Sequence, residues 1–117
     1  MQQNVVFWIA MAILAILIVR RVLAIRGRIP GAEARAKVDA GALLLDVRTP
    51  AEFASSALPG ATNVPVHQLA SRLGELPRDR PIVVYCASGM RSSSAASFLR
   101  RRGLEVYDLG PGSAWPT

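Results

Sequence analysis

The single cysteine of this 117-residue chain, Cys86, lies in a setting that suits a nucleophile. It directly follows an apolar run, residues 82–85, that is typical of a buried strand, and it precedes a glycine-containing loop, residues 87–91, and a helical pattern. Ligands of open α/β sheets bind beyond the carboxyl ends of the strands. The N–H groups of the loop and the positive end of the following helix would stabilise a thiolate there. We therefore predict a reactive cysteine, although a lone cysteine more often only fills space in a core.

The loop after Cys86 supplies the other candidate binding residues, which are Ala87, Ser88, Gly89, Met90 and Arg91. Gly89 permits a backbone conformation that a larger residue resists, and Arg91 adds a positive charge that favours an anionic substrate. One histidine and one cysteine make a poor zinc set, so neither a metal nor a cofactor is expected. Because the chain has no second cysteine, a molecule from outside must complete any chemistry at Cys86.

Alternating strand and helix patterns position this loop. Strands are predicted at residues 43–47, 61–66, 82–85 and 104–109, and helices at residues 32–40, 50–55, 67–76 and 92–102. Strands that alternate with helices imply an α/β fold, in which helices cover both faces of a parallel sheet. Cys86 is then expected at the carboxyl edge of that sheet.

The N-terminal part of the chain has a different pattern. Residues 5–19 carry no polar side chain, and a helix would cross a bilayer with some tilt if Arg20 and Arg21 reach the headgroups. We predict a membrane anchor at 4–25, a linker at 26–31 and a folded domain at 32–117. A cleaved signal peptide fits less well because the positive charges follow the apolar run. By the positive-inside rule, the expected location is the inner (cytoplasmic) membrane, with a single pass and the domain facing the cytoplasm.

The net charge of +6 is concentrated beside this anchor. Four arginines precede the first acidic residue, and they are Arg20, Arg21, Arg26 and Arg28. From residue 29 onward, ten basic and eight acidic residues nearly balance. The basic character therefore indicates a juxtamembrane cluster that meets the lipid bilayer, and a nucleic-acid partner is not expected.

Four segments, in order and in register, resemble the rhodanese-like domain family. Residues 86–91 (CASGMR) match its C-x-x-G-x-R active-site loop, and residues 46–53 (DVRTPAEF) resemble its D-V-R-x-x-x-E-F signature. Residues 58–65 (LPGATNVP) are similar to its I-P-G-A-x-N-I-P segment, and residues 110–115 (GPGSAW) resemble its closing G-G-x-x-A-W. The resemblance covers residues 29–115 and implies a rhodanese-like parallel sheet.

The resemblance also implies a sulfurtransferase. Cys86 would take the outer sulfur of a donor such as thiosulfate, hold it as a persulfide and pass it to a thiol or cyanide. The loop amides would stabilise the persulfide anion. Asp46, Arg48 and Glu52 would support the site, with Arg48 paired to a carboxylate nearby. No cofactor is implied, and a membrane protein partner would account for the anchor.

Two other functions remain open. A phosphatase or arsenate reductase of related fold needs a C-x-x-x-x-x-R loop, whereas here four residues separate Cys86 from Arg91. A membrane-tethered module that binds proteins is the other alternative, but inactive relatives usually lose the cysteine. The sequence departs from the family at Ser56-Ala57, where Gly-His is common. It also ends soon after Trp115, so the usual final helix is expected to be short or absent, with reduced stability.

Overall fold

The structure, a computed structural model, describes residues 2–25 and 27–117. The helices are α1 (Gln2–Ile25), α2 (Gly31–Asp39), α3 (Pro50–Ser55) and α4 (Met90–Arg100). The strands are β1 (Leu43–Asp46), β2 (Thr62–Asn63), β3 (Ile82–Cys86) and β4 (Val106–Pro111). Arg26, which belongs to the predicted basic linker, lies outside the described residues.

The four strands form one parallel sheet in the order β2-β1-β3-β4. The β3 strand lies between β1 and β4, and all five of its residues are buried. Its run of apolar residues is the pattern expected for a strand covered on both sides. Because Cys86 is the last residue of β3, it lies at the carboxyl edge of the sheet, as predicted.

Alternation along β3 divides the core into two layers, because successive side chains of a strand point to opposite faces. Ile82, Val84 and Cys86 pack in the layer that contains Ala95, Ala96 and Leu99 of α4. Val83 and Tyr85 pack in the layer that contains Ala34 of α2. The predicted α/β fold with helices on both faces is therefore confirmed.

Several predicted elements change in extent, and one is wrong. The predicted strand at 61–66 is reduced to β2, and the predicted helix at 92–102 starts and ends two residues earlier. The predicted helix at 67–76 is replaced by two short 3-10 turns, Val66–Gln68 and Leu73–Glu75. Gly74 lies in the second turn, and glycine disfavours a continuous helix.

Helix α1 is about 36 Å long at the usual rise per residue, which exceeds the thickness of a hydrocarbon core. Residues Gln3–Val22 form a segment that is long and apolar enough to span a membrane. Its large apolar side chains are about half exposed, for example Trp8 at 68% and Leu14 at 49%. This helix is the candidate membrane span.

Candidate functional site

Cys86 is fully buried, and its sulfur accepts hydrogen bonds from the backbone of the loop that follows β3. The Gly89 N–H donates to Sγ at 2.9 Å, and the Ser92 N–H donates at 3.3 Å. Two N–H groups that converge on one sulfur stabilise negative charge on it, and the start of α4 adds the positive end of the helix dipole. The surroundings of Sγ therefore favour negative charge on the sulfur.

Gly89 is the residue that closes the loop onto the sulfur. It precedes α4 with φ of 97°, in the left-handed region that glycine adopts without strain. The Ser92 hydroxyl donates to the Gly89 carbonyl at 3.1 Å and ties the loop to the first helical turn. Gly89 was predicted from the sequence and Ser92 was not, although Ser92 lies in the first helical turn after the cysteine loop.

The predicted loop residues lie in different environments. Ala87 and Ser88 are exposed, and Met90 is 77% exposed at the start of α4. Arg91 is half-buried and points its guanidinium to Glu52, with Nη1–Oε1 at 2.7 Å and Nη2–Oε2 at 3.1 Å. Arg91 is thus neutralised by a carboxylate from a segment 39 residues earlier.

Glu52 links helix α3 to the loop that follows Cys86. Thr49 caps α3, since its hydroxyl accepts the Glu52 N–H and Glu52 accepts the Thr49 N–H in return. The hydrogen bond from Arg91, with the one from the Thr49 backbone, lowers the pKa of Glu52 from its ordinary 4.5 to about 2. Glu52 therefore stays ionised at neutral pH, caps its own helix and holds Arg91 in place.

Asp46 and Arg48 form a second ion pair beneath the site. Asp46 is fully buried, and its carboxylate receives Arg48 Nη2 at 2.7 Å and Nε at 3.0 Å. The Tyr85 hydroxyl donates to the same carboxylate at 2.8 Å, and Arg48 also donates to the carbonyl of Ser56. The bond to Asp46 raises the pKa of Arg48, and burial raises the pKa of Tyr85. The implied pairing of Arg48 with a carboxylate is present here, with Asp46 as the partner.

A cavity of about 290 Å³ opens beside this pair and reaches Cys86. Its lining includes Cys86, Ala87, Arg48, Tyr85 and the Ser56-Ala57 segment. The segment that departs from the family pattern therefore forms part of the cavity wall. A volume of this size suits a small molecule, and the Arg48 guanidinium, paired with Asp46, lines the same cavity as the sulfur. The sequence analysis did not predict Tyr85 or Ser56 as part of this wall.

Asn63, at the end of β2, fixes the turn that carries Arg48. Its side-chain amide donates to the carbonyls of Asp46 and Arg48, each at 2.9 Å. The structure places Arg48 in the cavity that Cys86 also lines, with Asp46 paired to Arg48 and Glu52 paired to Arg91. Their roles in chemistry remain predictions.

Comparison with known proteins agrees with this geometry. A family model described as the rhodanese-like domain matches residues 31–114. A sulfurtransferase from Allochromatium vinosum is 46% identical over 75 residues, which cover 62% of this chain and 70% of the relative. The thiosulfate sulfurtransferase GlpE of Pseudomonas syringae is 38% identical over 92 residues, which cover 77% of this chain and 87% of the relative.

Solved structures show the same fold. A rhodanese-related protein from Thermoplasma volcanium has a TM-score of 0.67 and 30% identity, and the match covers 76% of this chain and 94% of that one. The reduced CoADR-RHD of Bacillus anthracis has a TM-score of 0.69 and 33% identity, and the match covers 74% of this chain but only 16% of that one. The motifs, the parallel sheet and these matches agree, and the chain belongs to the rhodanese-like domain family.

Proposed function

We propose that this chain transfers sulfane sulfur from a small donor such as thiosulfate to a thiol or cyanide through a persulfide on Cys86. The similarity of this chain to two sulfurtransferases supports its assignment as a rhodanese sulfurtransferase. The observation that carries the proposal is the convergence of two N–H groups on Sγ at the wall of a cavity that also contains Arg48. An anionic donor and an anionic intermediate both suit this environment.

The reaction has two displacements. In the first, the Cys86 thiolate attacks the outer sulfur of thiosulfate, the bond between the two thiosulfate sulfurs breaks, and sulfite leaves with the electron pair. In the second, an acceptor thiolate or cyanide attacks the terminal sulfur of the persulfide, and Cys86 leaves as a thiolate. The N–H groups of Gly89 and Ser92 stabilise the Cys86 thiolate, which attacks in the first step and leaves in the second.

The length of the loop favours sulfur transfer over phosphate chemistry. We expect the protein to transfer sulfur from thiosulfate to cyanide and to hydrolyse aryl phosphates far more slowly. The short loop holds a single sulfur atom, and it contains no carboxylate that could protonate a leaving group. Both rates are measured on the same preparation, with protein alkylated at Cys86 as the blank. Phosphatase turnover equal to or above sulfur transfer would contradict the proposal.

We also propose that α1 anchors the protein in the cytoplasmic membrane with the catalytic domain in the cytoplasm. The apolar segment Gln3–Val22 and the arginines that follow it support this topology. Thr117→Cys, in a Cys86→Ser background, should react with a membrane-impermeant maleimide in inverted vesicles but not in intact cells. Gln2→Cys, in the same background, is the matched position at the N-terminal end of α1. It should react with the maleimide in intact cells but not in inverted vesicles. Labelling of Thr117→Cys in intact cells would reverse the assignment.

A further inference from the structure

The residues that follow the anchor helix are joined to the sheet next to β4. Arg28 forms a parallel bridge with Asp108, and the Ile29 N–H donates to the Asp108 carbonyl at 2.9 Å. The Asp108 N–H in turn faces the carbonyl of Gly27 at 3.4 Å. Since α1 ends at Ile25, a segment immediately after the candidate membrane span is fixed against β4.

The side chain of Arg28 extends from this segment to the active-site loop. A Cβ added to Gly89 would overlap Nη2 of Arg28 and lie 2.9 Å from its Cζ. A Cβ added to Gly110 would lie 3.1 Å from Nε of Arg28. The guanidinium therefore fills the space that a side chain would occupy at both glycines.

Gly89 is thus held on two sides. Its N–H donates to Cys86 Sγ at 2.9 Å, while Arg28 and Pro111 close the space beside its Cα, with Pro111 Cδ 3.4 Å from the Cβ position. The Arg28 guanidinium therefore packs directly against the Cα of Gly89. Arg28 therefore limits the movement of the hydrogen-bond donor closest to the sulfur.

Asp108 gives Arg28 an electrostatic partner. The Asp108 carboxyl is 2% exposed and accepts the Gly110 N–H at 2.8 Å. Burial raises the pKa of Asp108. Hydrogen bonds from Ser92 and Gly110 lower this pKa, and so do the nearby positive charges of Arg28 and Arg100. Ser92 also donates its N–H to Cys86 Sγ. Arg28 is therefore connected with the sulfur by two routes, one through Asp108 and Ser92 and the other through Gly89.

We propose that Arg28 is a positioning residue, which holds the loop of Gly89 against Cys86 and adds positive charge behind it. This inference rests on the proposed function, since it gives Arg28 a role in the reactivity of Cys86. Arg28 is not among the residues that line the cavity, so its effect should fall on sulfur reactivity and not on donor binding. Without this role, Arg28 would be one more juxtamembrane charge, equivalent to Arg21.

The test compares full-length Arg28→Ala, Arg28→Lys and Arg21→Ala proteins with the wild type, in one detergent. The first measurement is the alkylation rate of Cys86 by iodoacetamide as a function of pH, and the second is kcat and KM for thiosulfate. Arg48, which lines the cavity with Cys86, and Arg91, which lies in the loop after it and pairs with Glu52, are unchanged in all of these proteins. Arg21 is the matched control because it carries the same charge on an exposed surface of α1.

We expect Arg28→Ala to shift the alkylation profile to higher pH and to lower kcat by about threefold or more. This magnitude is typical of the loss of one partly exposed charge interaction. KM should change little, Arg28→Lys should recover part of the loss, and Arg21→Ala should behave as the wild type. An Arg28→Ala protein with the same alkylation profile and kcat as Arg21→Ala would overturn the inference. A wild-type protein that is alkylated but transfers no sulfur would instead overturn the proposed function, and the alkylation comparison would still decide the role of Arg28.

Discussion

Replacing Cys86 with serine is expected to abolish both persulfide formation and turnover. A serine hydroxyl is far too weakly acidic to form the anion that the N–H groups of Gly89 and Ser92 stabilise, so no sulfur can be accepted. In the wild type the persulfide should accumulate, because the chain has no second cysteine to resolve it. Mass spectrometry after incubation with thiosulfate, without an acceptor, should show one added sulfur atom on the wild type and none on Cys86→Ser.

The matched control for this change is Ser94→Ala. Ser94 is exposed on α4 and does not line the cavity beside Cys86, so its replacement should leave sulfur loading unchanged. Addition of cyanide should then remove the extra mass from both the wild type and Ser94→Ala. If Cys86→Ser also gained a sulfur atom, the atom that binds the sulfur would not be Cys86 Sγ. A wild-type protein that gained no sulfur would contradict the persulfide mechanism.

Replacing Asp46 with alanine is expected to cause the largest loss of stability. The change leaves the guanidinium of Arg48 and the hydroxyl of Tyr85 without the carboxylate they share, in a part of the core that is almost fully buried. Removal of one partner from a buried ion pair costs about 3–5 kcal/mol, because the other charge is left uncompensated. Urea denaturation of the full-length protein in detergent, compared with the wild type, measures this loss.

A surface ion pair provides the control for Asp46→Ala. Glu75 pairs with Arg72 at 2.9 Å on an exposed 3-10 turn, where water can replace the lost partner. Glu75→Ala should therefore move the unfolding transition much less than Asp46→Ala. Equal shifts for the two variants would mean that the pair between Asp46 and Arg48 is solvated, contrary to its burial. Tyr85→Phe, which removes one hydrogen bond and leaves the ion pair, should give an intermediate loss.

The order of the elements followed from local patterns in the sequence. The apolar runs at 43–47 and 82–85 predicted β1 and β3 because a strand covered on both faces needs apolar residues throughout. Pro50 favoured a helix that starts at residue 50, since a proline fits the first helical turn. The structure adds Thr49 as the cap of this helix. The 67–76 region was predicted less well because its apolar spacing fits a helix, whereas the chain forms only two short turns there.

The motif residues were found from the sequence, but their partners were not. From the sequence, Arg48 was expected to pair with a nearby carboxylate that was not identified, and Arg91 was expected only to add a positive charge close to Cys86. In the structure Arg48 pairs with Asp46, two residues away, and Arg91 pairs with Glu52, which is 39 residues away. The second pairing depends on where α3 lies relative to α4, and no local spacing encodes that distance.

The sequence by itself therefore determined the candidate nucleophile, the loop that follows it and the strand that ends there, because these features depend on residue type and on short-range periodicity. Only the tertiary structure decided the contacts that complete the site. The parallel register places Tyr85 opposite Asp46, and the segment beside β4 brings Arg28 to Gly89 across 61 positions of the chain. Such contacts arise when separate elements pack against one another, and packing depends on side-chain shapes from distant parts of the sequence.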